Sequence, residues 1–537
     1  MSDSPAGPVT RPIVEYREAP IVSAAGTQEV PILLEPRAAF DVVRALLVRA
    51  SYDEPSVARR LGRSSLIGAP RLVEGRKTLA GEVTDVQAAL IRLFIDGESL
   101  ESTLVQSLVG DDAFEALRAL GLVRSLPGDD RSLAAAVALV PLQGLWFASD
   151  LLPRSDQVDG TIQDYVYGAS GDLTGFFLSV IPDAPGAHVL ELCAGTGVAA
   201  LRAAARGAAG AVASDLVGRC VHFARFNVLL NALDDRVRVV QSDVWESIGD
   251  ETFDLVVAHP PYVPALAHVY DFRDAGADGE HVTRRIVQGA PAHVRRGGRL
   301  IVRAALSDRR GATIAQRVRE WLGESESEFD LVQLESSEYG PFDAYKSVTK
   351  GGRDFVDCER WMRHFDSLQI ERFSLVVIEL RREAYGRAPV TERRTFGASV
   401  SPEVADWTFR WGRFLAGGGD TAASRMAGQM PRVVSGVRAA VHLESQSDGG
   451  WATVGATVEA AWPSHAVVKA PPLAPTLLEL CDGTRDVEAI LSGLRSAGLV
   501  DALVGAEDVA RLVEVLAAAA AIELPACRLP PRAVTQA

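Results

Sequence analysis

The sequence has few cysteines and histidines, and neither type is spaced as a ligand set. Its five cysteines are scattered over 537 residues without a CxxC pair, and its nine histidines show no paired spacing. We therefore expect neither a disulfide framework nor a metal site. Long apolar runs are missing too, since no stretch approaches the roughly 18 residues of a membrane-spanning helix. Residues 1–9 lack the basic and apolar regions of a secretory signal, so a soluble, cytoplasmic protein without a membrane partner is expected.

The sequence also lacks an excess of positive charge. The net charge is −15 at pH 7 and the isoelectric point is near 5.2, which argues against nonspecific coating of nucleic acid but not against a local basic groove. With 47% hydrophobic and 23% charged residues, the chain has enough apolar material for packed cores. Its length predicts three or four domains of about 150 residues each.

The residue patterns divide the chain into five regions. Residues 1–36 are rich in Pro, Ala and Ser without periodicity, which predicts a disordered tail. Residues 37–150 have apolar residues at three- and four-residue spacing, which favours either a winged-helix-like domain or a plain helical cap. The central region is 151–385. A linker is predicted at 386–400, and a C-terminal domain at 401–537.

The central region alternates apolar strands with helices. The predicted strands are HVLELCA, AVASD, VRVVQSD, FDLVVA, RLIVRAAL, FDLVQL and SLVVIEL. Continuous apolar runs are typical of strands that are covered on both faces. We therefore predict an α/β fold with a seven-stranded, mostly parallel, doubly wound sheet.

The segment HVLELCAGTGVAALRAAA, residues 188–205, predicts a strand, a glycine-containing turn and a helix. Such a turn lets a ligand approach the backbone, and the helix start offers free N–H groups. The pattern Gly195-x-Gly197-x-x-Ala200 also fits the dinucleotide fingerprint, with Asp215 at the distance expected of a ribose-binding acid. On this motif alone, an NAD enzyme is the alternative.

Acidic residues at the ends of three successive strands favour a different cofactor. Glu191 precedes the glycines, where a pyrophosphate would meet a carboxylate. S-adenosylmethionine (SAM) has no phosphate and carries a cationic sulfonium and an ammonium group. Asp215 is predicted to bind its ribose hydroxyls, and Asp243 its adenine amino group, with Val244 and Trp245 beside the ring. Each acid by itself also fits a helix cap or a solvated turn.

The strand FDLVVA ends in two consecutive prolines, within the tetrapeptide His259-Pro260-Pro261-Tyr262. Prolines donate no backbone hydrogen bond and fix the direction of the chain, so they leave nearby carbonyl groups without N–H partners. A strand that only needed to end could do so with Gly, Asn or Asp. We interpret the turn as a means of presenting hydrogen-bond acceptors to a ligand.

Residues from about Asp164 to Arg303 resemble the class I SAM-dependent methyltransferases of the "small domain" group. This group includes release-factor glutamine N5-methyltransferases, ribosomal-RNA guanine-N2 methyltransferases and amino-methylating DNA enzymes. Its mark is Asn/Asp/Ser-Pro-Pro-Tyr/Phe after the fourth strand, here HPPY. The segment DAGADGEHVTRR resembles the Gly-Gly-x-Asp-Gly-Leu segment of the glutamine enzymes and keeps Gly276, Asp278 and Gly279. With its flanking regions, the chain is similar to long actinobacterial methyltransferases with added N- and C-terminal domains.

The resemblance implies SAM-dependent N-methylation and assigns the site residues. In the family, the Asn oxygen and the first proline carbonyl accept the two N–H bonds of the acceptor nitrogen, and the aromatic residue offers a stacking face. The implied catalytic residues are His259, Pro260 and Tyr262. The implied cofactor-binding residues are Glu191, Cys193, Ala194, Gly195, Gly197, Asp215, Asp243, Val244 and His259.

Two residues depart from the family pattern. Cys193 replaces the first glycine of the cofactor loop, which narrows the turn but should not abolish binding. His259 replaces Asn or Asp, and three roles are open for it. It can accept a hydrogen bond through an unprotonated ring nitrogen, act as a general base with an ordinary pKa near 6.5, or cap the strand without taking part in chemistry.

The substrate is less well defined by the sequence. Glu280 stands where the glutamine enzymes usually have leucine, which weakens that assignment. An insertion at about 335–370 either lines the acceptor pocket or packs on the sheet edge; its notable residues are Tyr339, Phe342, Tyr345, Trp361 and His364. The segment LLELCDGTRDVEAILSGL resembles winged-helix modules that bind leader peptides, or mediates a homodimer contact.

Three functional hypotheses follow. The first is an N-methyltransferase that acts on an amide or amino group of a protein, peptide or RNA. The second is a methyltransferase of specialised metabolism with a small-molecule substrate. The third is a non-catalytic SAM-binding regulator of nucleic acid. The acidic balance of the chain favours a polypeptide or a small molecule over RNA.

Overall fold

The computed structural model describes most of the chain. The described residues are 29–67, 79, 81–151, 163–348, 355–396, 400–447, 449–463 and 465–529. Within these ranges, no helix is long and apolar enough to cross a membrane.

The N-terminal region combines short helices with two small sheets. Its elements are α1 (Arg37–Arg49), α2 (Glu54–Arg60), α3 (Val86–Phe94), β1 (Ser99–Glu101), α4 (Ser102–Val109), α5 (Asp111–Ala119), β2 (Val123–Leu126), β3 (Asp129–Ala135), β4 (Ala138–Leu142) and β5 (Leu145–Ser149). Aspartates cap two helix starts, since Asp53 accepts from the Ser56 N–H and Asp85 from the Ala88 N–H.

The segment from α3 to β3 has the element order that the winged-helix interpretation expects. Helix α3 is followed by a short strand, two helices and a hairpin, and the sheet order is β1-β3-β2. The domain assignment itself stays a prediction. Residues 1–28 of the predicted tail lie outside the described residues. The end of the tail, from residue 29, packs against the N-terminal core. Ile32 is fully buried, and the Leu33 N–H donates to the Leu120 carbonyl oxygen at 3.0 Å.

The central region forms an eight-stranded sheet with helices on both faces. Its elements are α6 (Asp172–Val180), β6 (His188–Leu192), α7 (Val198–Ala205), β7 (Gly210–Asp215), α8 (Gly218–Leu230), β8 (Val237–Gln241), β9 (Phe253–Ala258), α9 (His281–His293), β10 (Val294–Arg309), α10 (Ile314–Leu322), β11 (Asp330–Tyr339), α11 (Pro341–Val348), α12 (Phe355–Ser367), β12 (Ile370–Arg381) and β13 (Thr391–Thr395).

The sheet order is β13-β11-β12-β10-β9-β6-β7-β8. Strand β12 runs antiparallel to both of its neighbours, whereas all other pairs in this sheet are parallel. The predicted α/β class and the seven predicted strands are confirmed. The eighth strand, β13, falls within the predicted linker. Its sequence TERRT has no apolar residue because it lies at the sheet edge, although the flanking Val390 and Phe396 are buried.

The N-terminal region packs directly on helix α8. Phe223, Phe226 and Leu230 belong to the same hydrophobic cluster as the N-terminal core. Asn227 is fully buried and binds the backbone N–H and carbonyl of Ala148 in β5, at 2.7 and 3.1 Å. The N-terminal core and the sheet domain are therefore joined by shared apolar surface as well as by hydrogen bonds.

The C-terminal region begins with a helix on the sheet and ends in a smaller unit. Its elements are α13 (Pro402–Gly417), α14 (Ala422–Met426), β14 (Arg432–Val433), β15 (Arg438–Ser445), β16 (Trp451–Ala460), β17 (Ala466–Ala470), α15 (Ala474–Leu480), α16 (Val487–Ser496), α17 (Ala506–Ala518) and β18 (Ile522–Glu523). Three antiparallel strands, β15-β16-β17, precede the last three helices, and Trp407 and Trp411 of α13 join their hydrophobic cluster.

Candidate functional site

The carboxyl ends of four adjacent parallel strands meet at one edge of the sheet. Strands β8, β7, β6 and β9 are neighbours in that order, so the residues that follow them lie side by side. The Ala194 N–H donates to the Ser214 carbonyl oxygen at 3.0 Å, and the Ser242 N–H donates to that of Asp215 at 2.9 Å. The topology therefore brings the predicted cofactor residues together with the His-Pro-Pro-Tyr turn.

The loop between β6 and α7 is shaped by three residues with positive φ. They are Cys193 (54°), Gly195 (53°) and Gly197 (77°). A Cβ at Gly197 would lie 3.0 Å from Leu201 Cδ1 and 3.4 Å from Ala224 Cβ, so this glycine permits close packing of α7 and α8. A Cβ at Gly195 would meet no atom within 4 Å, so the loop is open on that side. The open side leaves room for a ligand against the backbone.

Glu191 is buried beneath this loop and caps helix α7. Its carboxylate accepts from the Ala199 N–H at 3.1 Å and from the Ala200 N–H at 2.8 Å. Burial raises the pKa of Glu191 to about 8, and the nearby charge of Asp215 adds to the increase, whereas the two N–H groups oppose it. The Glu191 side chain therefore holds the end of the loop at the start of α7 and places an ionisable carboxyl group beneath it.

Asp215 binds the loop from the end of β7. Its Oδ2 accepts from the Gly195 N–H at 2.8 Å and its Oδ1 from the Val217 N–H at 2.9 Å. Burial raises the pKa of Asp215 despite these bonds, and the charge of Asp271 contributes to the increase. Asp271, which the sequence interpretation missed, is held near this loop by Gln163, whose Nε2 donates to Asp271 Oδ1 at 3.1 Å.

Asp243 is paired with an arginine that the sequence did not suggest. Arg285 Nη1, from α9, donates to Asp243 Oδ1 at 2.8 Å, and both side chains are partly exposed. Oδ2 of Asp243 has no hydrogen bond in the described part of the chain. Val244, with φ 53°, is buried in the core, and the Trp245 ring stacks on His293 with centroids 4.4 Å apart. Their side chains thus pack toward α9.

The His259 ring lies between aromatic groups and a guanidinium. Arg303 Nη1 lies 3.2 Å from His259 Nε2, and because a guanidinium only donates, Nε2 is the acceptor. Burial and the Arg303 charge lower the pKa of His259 to about 3. The ring is therefore neutral at physiological pH and carries its proton on Nδ1. It stacks on Tyr262 with centroids 5.8 Å apart, and Phe177 lies 5.4 Å away.

The Pro-Pro turn is held from outside by the loop that contains Gly276 and Gly279. The Ala265 N–H donates to the Gly276 carbonyl oxygen at 2.9 Å. A Cβ at Gly279 would come within 2.8 Å of the Tyr262 carbonyl oxygen and 2.9 Å of Pro264 N, so only glycine fits. The Pro260 carbonyl oxygen accepts no hydrogen bond from the residues that the structure describes. The turn is thus braced and still presents a free acceptor.

Asp278 and Glu280 in the same loop are bound to arginines. Glu280, fully buried, accepts from the Ser307 N–H at 2.8 Å and from Arg317 Nη1 at 3.0 Å. Burial alone would raise the pKa of Asp278, but the charges of Arg284 and Arg309 outweigh it and the pKa is lowered. Glu280 therefore anchors the loop to β10, which explains a carboxylate at a position where the resemblance expects leucine.

The insertion between β11 and β12 forms α11 and α12 and packs across the end of the sheet. The insertion forms a hydrophobic cluster with β12 and the loop after the Pro-Pro turn, comprising Ala344, Tyr345, Trp361, Phe365, Ile370 and Phe373 with the flanking Leu266 and Tyr339. His364 Nε2 lies 2.8 Å from the Ala277 carbonyl oxygen. Phe342 is exposed. The insertion therefore packs on the sheet end and also contacts the loop that braces the turn.

Arg303 and Arg285 contact predicted site residues, and the sequence interpretation overlooked both. Arg303 had a signal, because it interrupts the apolar strand RLIVRAAL and a buried strand rarely contains an unpaired arginine. Arg285 had none, since its contact with Asp243 spans 42 residues and depends on how α9 packs.

Residues 170–320 match the family model described as the methyltransferase small domain. The resemblance predicted for the central region is thereby confirmed. A solved structure, the ribosomal protein L11 methylase from Lactobacillus delbrueckii subsp. bulgaricus, is similar at 14% identity and a TM-score of 0.24, covering 40% of this chain and 78% of that one.

Two curated proteins are similar over the same region. The ribosomal protein uL3 glutamine methyltransferase of Bradyrhizobium diazoefficiens is 31% identical over 210 residues, which are 35% of this chain and 62% of that protein. The release factor glutamine methyltransferase of Cereibacter sphaeroides is 35% identical over 130 residues, which are 22% of this chain and 46% of that protein. The chain thus spans less than two thirds of the length of these relatives.

Proposed function

We propose that the protein is a SAM-dependent methyltransferase that methylates an amide or amino nitrogen of a protein or peptide. The match of residues 170–320 to the methyltransferase small domain and the similarity to two glutamine methyltransferases support this proposal. The observation that carries it is the free carbonyl of Pro260, which follows β9 directly beside the strand that leads into the cofactor loop. An acceptor at this position can bind an N–H group of a nitrogen nucleophile.

The residues at this sheet edge fit SAM. The open side of Gly195 gives a ligand access to the backbone. The carboxylates of Asp215 and Asp271 favour a cation nearby, and Glu191 adds to this once it ionises near pH 8. Asp215 is suited to the ribose hydroxyls, and the free Oδ2 of Asp243 to the adenine amino group. When bound, SAM supplies a methyl group on a cationic sulfonium. The acids hold the cofactor without a phosphate site, which disfavours the NAD alternative.

The Pro-Pro turn positions the nucleophile. The Pro260 carbonyl oxygen would accept one N–H of the acceptor and so orient its nitrogen, and the proton that this nitrogen loses on methylation would pass to water. Positioning by a rigid turn lowers a barrier by on the order of several kcal/mol. His259 is a poor base because Arg303 occupies its Nε2 and its pKa is about 3. We assign it a positioning role.

A small-molecule acceptor is the second candidate, and one contact favours it. His364 of the insertion is bonded to the Ala277 carbonyl oxygen, so α12 lies close to the loop that braces the turn and narrows access from that side. A polypeptide must then present its acceptor group on an extended segment. The acidic net charge of −15 favours either of these acceptors over RNA.

Labelling with methyl-tritiated SAM and a fractionated lysate tests the proposal. We expect label in protease-sensitive material, because the acceptor is a polypeptide. The His259→Ala variant should lose transfer while keeping SAM affinity within about threefold. The matched control is His188→Ala, since His188 is exposed at the opposite end of β6. Label in low-mass material would support the small-molecule candidate, and SAM binding without any transfer would point to a regulator and contradict the proposal.

A further inference from the structure

Arg303 is a buried cation at the acceptor end of the site. It lies on β10, directly after Val302, which pairs with Ala258 at the end of β9. The residue is 4% exposed, and its guanidinium carbon lies 5.1 Å from the Phe176 ring centroid and 5.8 Å from that of Tyr262. The side chain is thus held between two aromatic rings immediately behind the Pro-Pro turn.

Of the six other buried arginines in the described residues, five are paired with a carboxylate, and two of these illustrate the usual arrangement. Arg219 binds Asp150 at 2.5 and 3.0 Å, and Arg317 binds the buried Glu280. Arg303 forms no ion pair with a carboxylate anywhere in the described ranges. Arg319 has none either, but its guanidinium donates to three carbonyl oxygens and the Thr391 hydroxyl, whereas Arg303 Nε is buried without a partner. A buried charge whose donors also lack partners is strongly unfavourable, which favours a ligand as the group that completes the Arg303 site.

The hydrogen bonds of Arg303 leave most of its donors unused. A guanidinium has five N–H donors. Nη1 is shared between His259 Nε2 at 3.2 Å and the Tyr262 hydroxyl oxygen at 3.1 Å, and both acceptors are neutral. Nε is sealed from solvent without a partner. Nη2 makes no hydrogen bond to a described residue and does not belong to the sealed, unpaired atoms, so it remains available to a ligand.

The groups around Arg303 add further donors. Because His259 accepts through Nε2, its neutral ring carries a proton on Nδ1, and this N–H has no partner in the part of the chain that the structure describes. The free acceptor nearby is the Pro260 carbonyl oxygen. The site thus offers one acceptor for an N–H group beside several donors and one full positive charge.

From this arrangement we propose that Arg303 binds an anionic oxygen of the methyl acceptor, a carboxylate next to the nitrogen that is methylated. The inference rests on the proposed function and deepens it. A carboxylate would neutralise Arg303 and accept hydrogen bonds from its Nη2. The acceptor then differs from the side chain of an internal glutamine, which is neutral, and resembles a chain terminus or an amino acid.

Propionate and propionamide are the probes that test the charge requirement. Saturation-transfer NMR on the full-length protein saturated with S-adenosylhomocysteine should show millimolar binding of propionate and at least tenfold weaker binding of propionamide. Arg303→Gln should weaken propionate binding at least tenfold. Arg299→Gln is the matched control on the same strand, because Arg299 is partly exposed and already paired with Glu379 and Asp406, and its propionate binding should change less than threefold.

Arg303→Lys keeps the charge without the planar fork and covers the case in which Arg303→Gln does not fold. It should bind propionate with an intermediate, three- to tenfold loss. Unchanged propionate binding in a folded Arg303 variant would overturn the inference. If the wild type bound propionamide as tightly as propionate, the claim that the ligand is an anion would be wrong. If the wild type fails to bind SAM, the proposed function fails; if SAM binds but propionate does not, only this inference fails.

Discussion

Replacing Gly279 with alanine should move the Pro-Pro turn without touching the cofactor loop. Gly279 has φ 75°, and a Cβ there would lie 2.8 Å from the Tyr262 carbonyl oxygen and 2.9 Å from both N and Cδ of Pro264. These atoms belong to backbone and a proline ring, so no flexible side chain can yield. To reach an ordinary van der Waals distance, the added Cβ and the Tyr262 carbonyl oxygen must move apart by about 0.6 Å.

The size of the effect follows from two separate terms. The left-handed backbone conformation costs an alanine about 1–2 kcal/mol. Gly276 in the same loop has φ 79°, but a Cβ there would meet only the Cβ of His281, at 3.3 Å. Gly276→Ala therefore carries the same strain without displacing the turn. Since misplacing a reacting group by about 1 Å can cost a hundredfold in rate, we expect Gly279→Ala to lose about 10- to 100-fold in kcat and Gly276→Ala less than threefold.

The assay is the initial rate of tritium transfer from SAM into the lysate fraction that the wild type labels, at saturating SAM. Gly279→Ala should lower the melting temperature more than Gly276→Ala does, because it adds the clash to the same backbone strain, and both variants should bind SAM within about threefold of the wild type. Equal loss of kcat in the two variants would refute the bracing role of Gly279. Loss of SAM affinity in Gly279→Ala alone would instead assign the loop to the cofactor.

Two further predictions concern the cofactor loop. Burial raises the pKa of Glu191 to about 8, and only the ionised carboxylate attracts a cation, so the calorimetric Kd for SAM should fall about tenfold between pH 7 and pH 9. Glu191→Gln should remove most of this pH dependence. The same pH dependence in that variant would show that another group causes it. Asn227→Ala should cost about 2–3 kcal/mol of stability in chemical denaturation, since it leaves buried backbone groups of Ala148 and Thr196 without partners, and should also weaken SAM binding. Asn231→Ala, which among the described residues loses bonds only to Trp146 and Asn227, should lower stability without changing SAM affinity. Equal SAM affinities in the two variants would contradict a role of the Thr196 contact.

Local patterns predicted the sheet because its strands are covered on both faces. Runs such as FDLVVA and SLVVIEL are typical of that setting, and both are strands in the structure. Strand β13 escaped this criterion because an edge strand needs no apolar face, and its arginines pair instead with acids on β11, as Arg393 does with Glu335. The packed end of the predicted tail was missed for a related reason, since one buried residue, Ile32, gives no periodicity.

The predicted site residues follow the ends of individual strands, which the sequence reveals. The side chains that bind them lie on other elements, α9 and β10. Asp243 was assigned to the adenine amino group, but α9 brings Arg285 to one of its oxygens. His259 was considered as an acceptor or a base, but β10 brings Arg303 to its Nε2. Both contacts depend on tertiary packing, so even the signal of Arg303 within an apolar strand could not show that it lowers the pKa of His259.

Opposite electrostatic environments at the two ends of the site account for its unusual histidine. The cofactor loop is surrounded by carboxylates, and burial followed by the charges of Asp215, Asp243 and Glu191 raises the pKa of the Cys193 thiol. Next to the Pro-Pro turn, by contrast, lies the buried positive charge of Arg303. A side-chain oxygen at position 259 would also accept from Arg303, but the neutral imidazole does so while keeping an N–H on its other nitrogen. An Asn that turned its oxygen to Arg303 could offer only its NH₂ group elsewhere, from a shorter side chain without a ring to stack on Tyr262. The contact with the buried arginine gives a physical reason for a histidine at this position, and we propose that the two residues form one acceptor-binding unit.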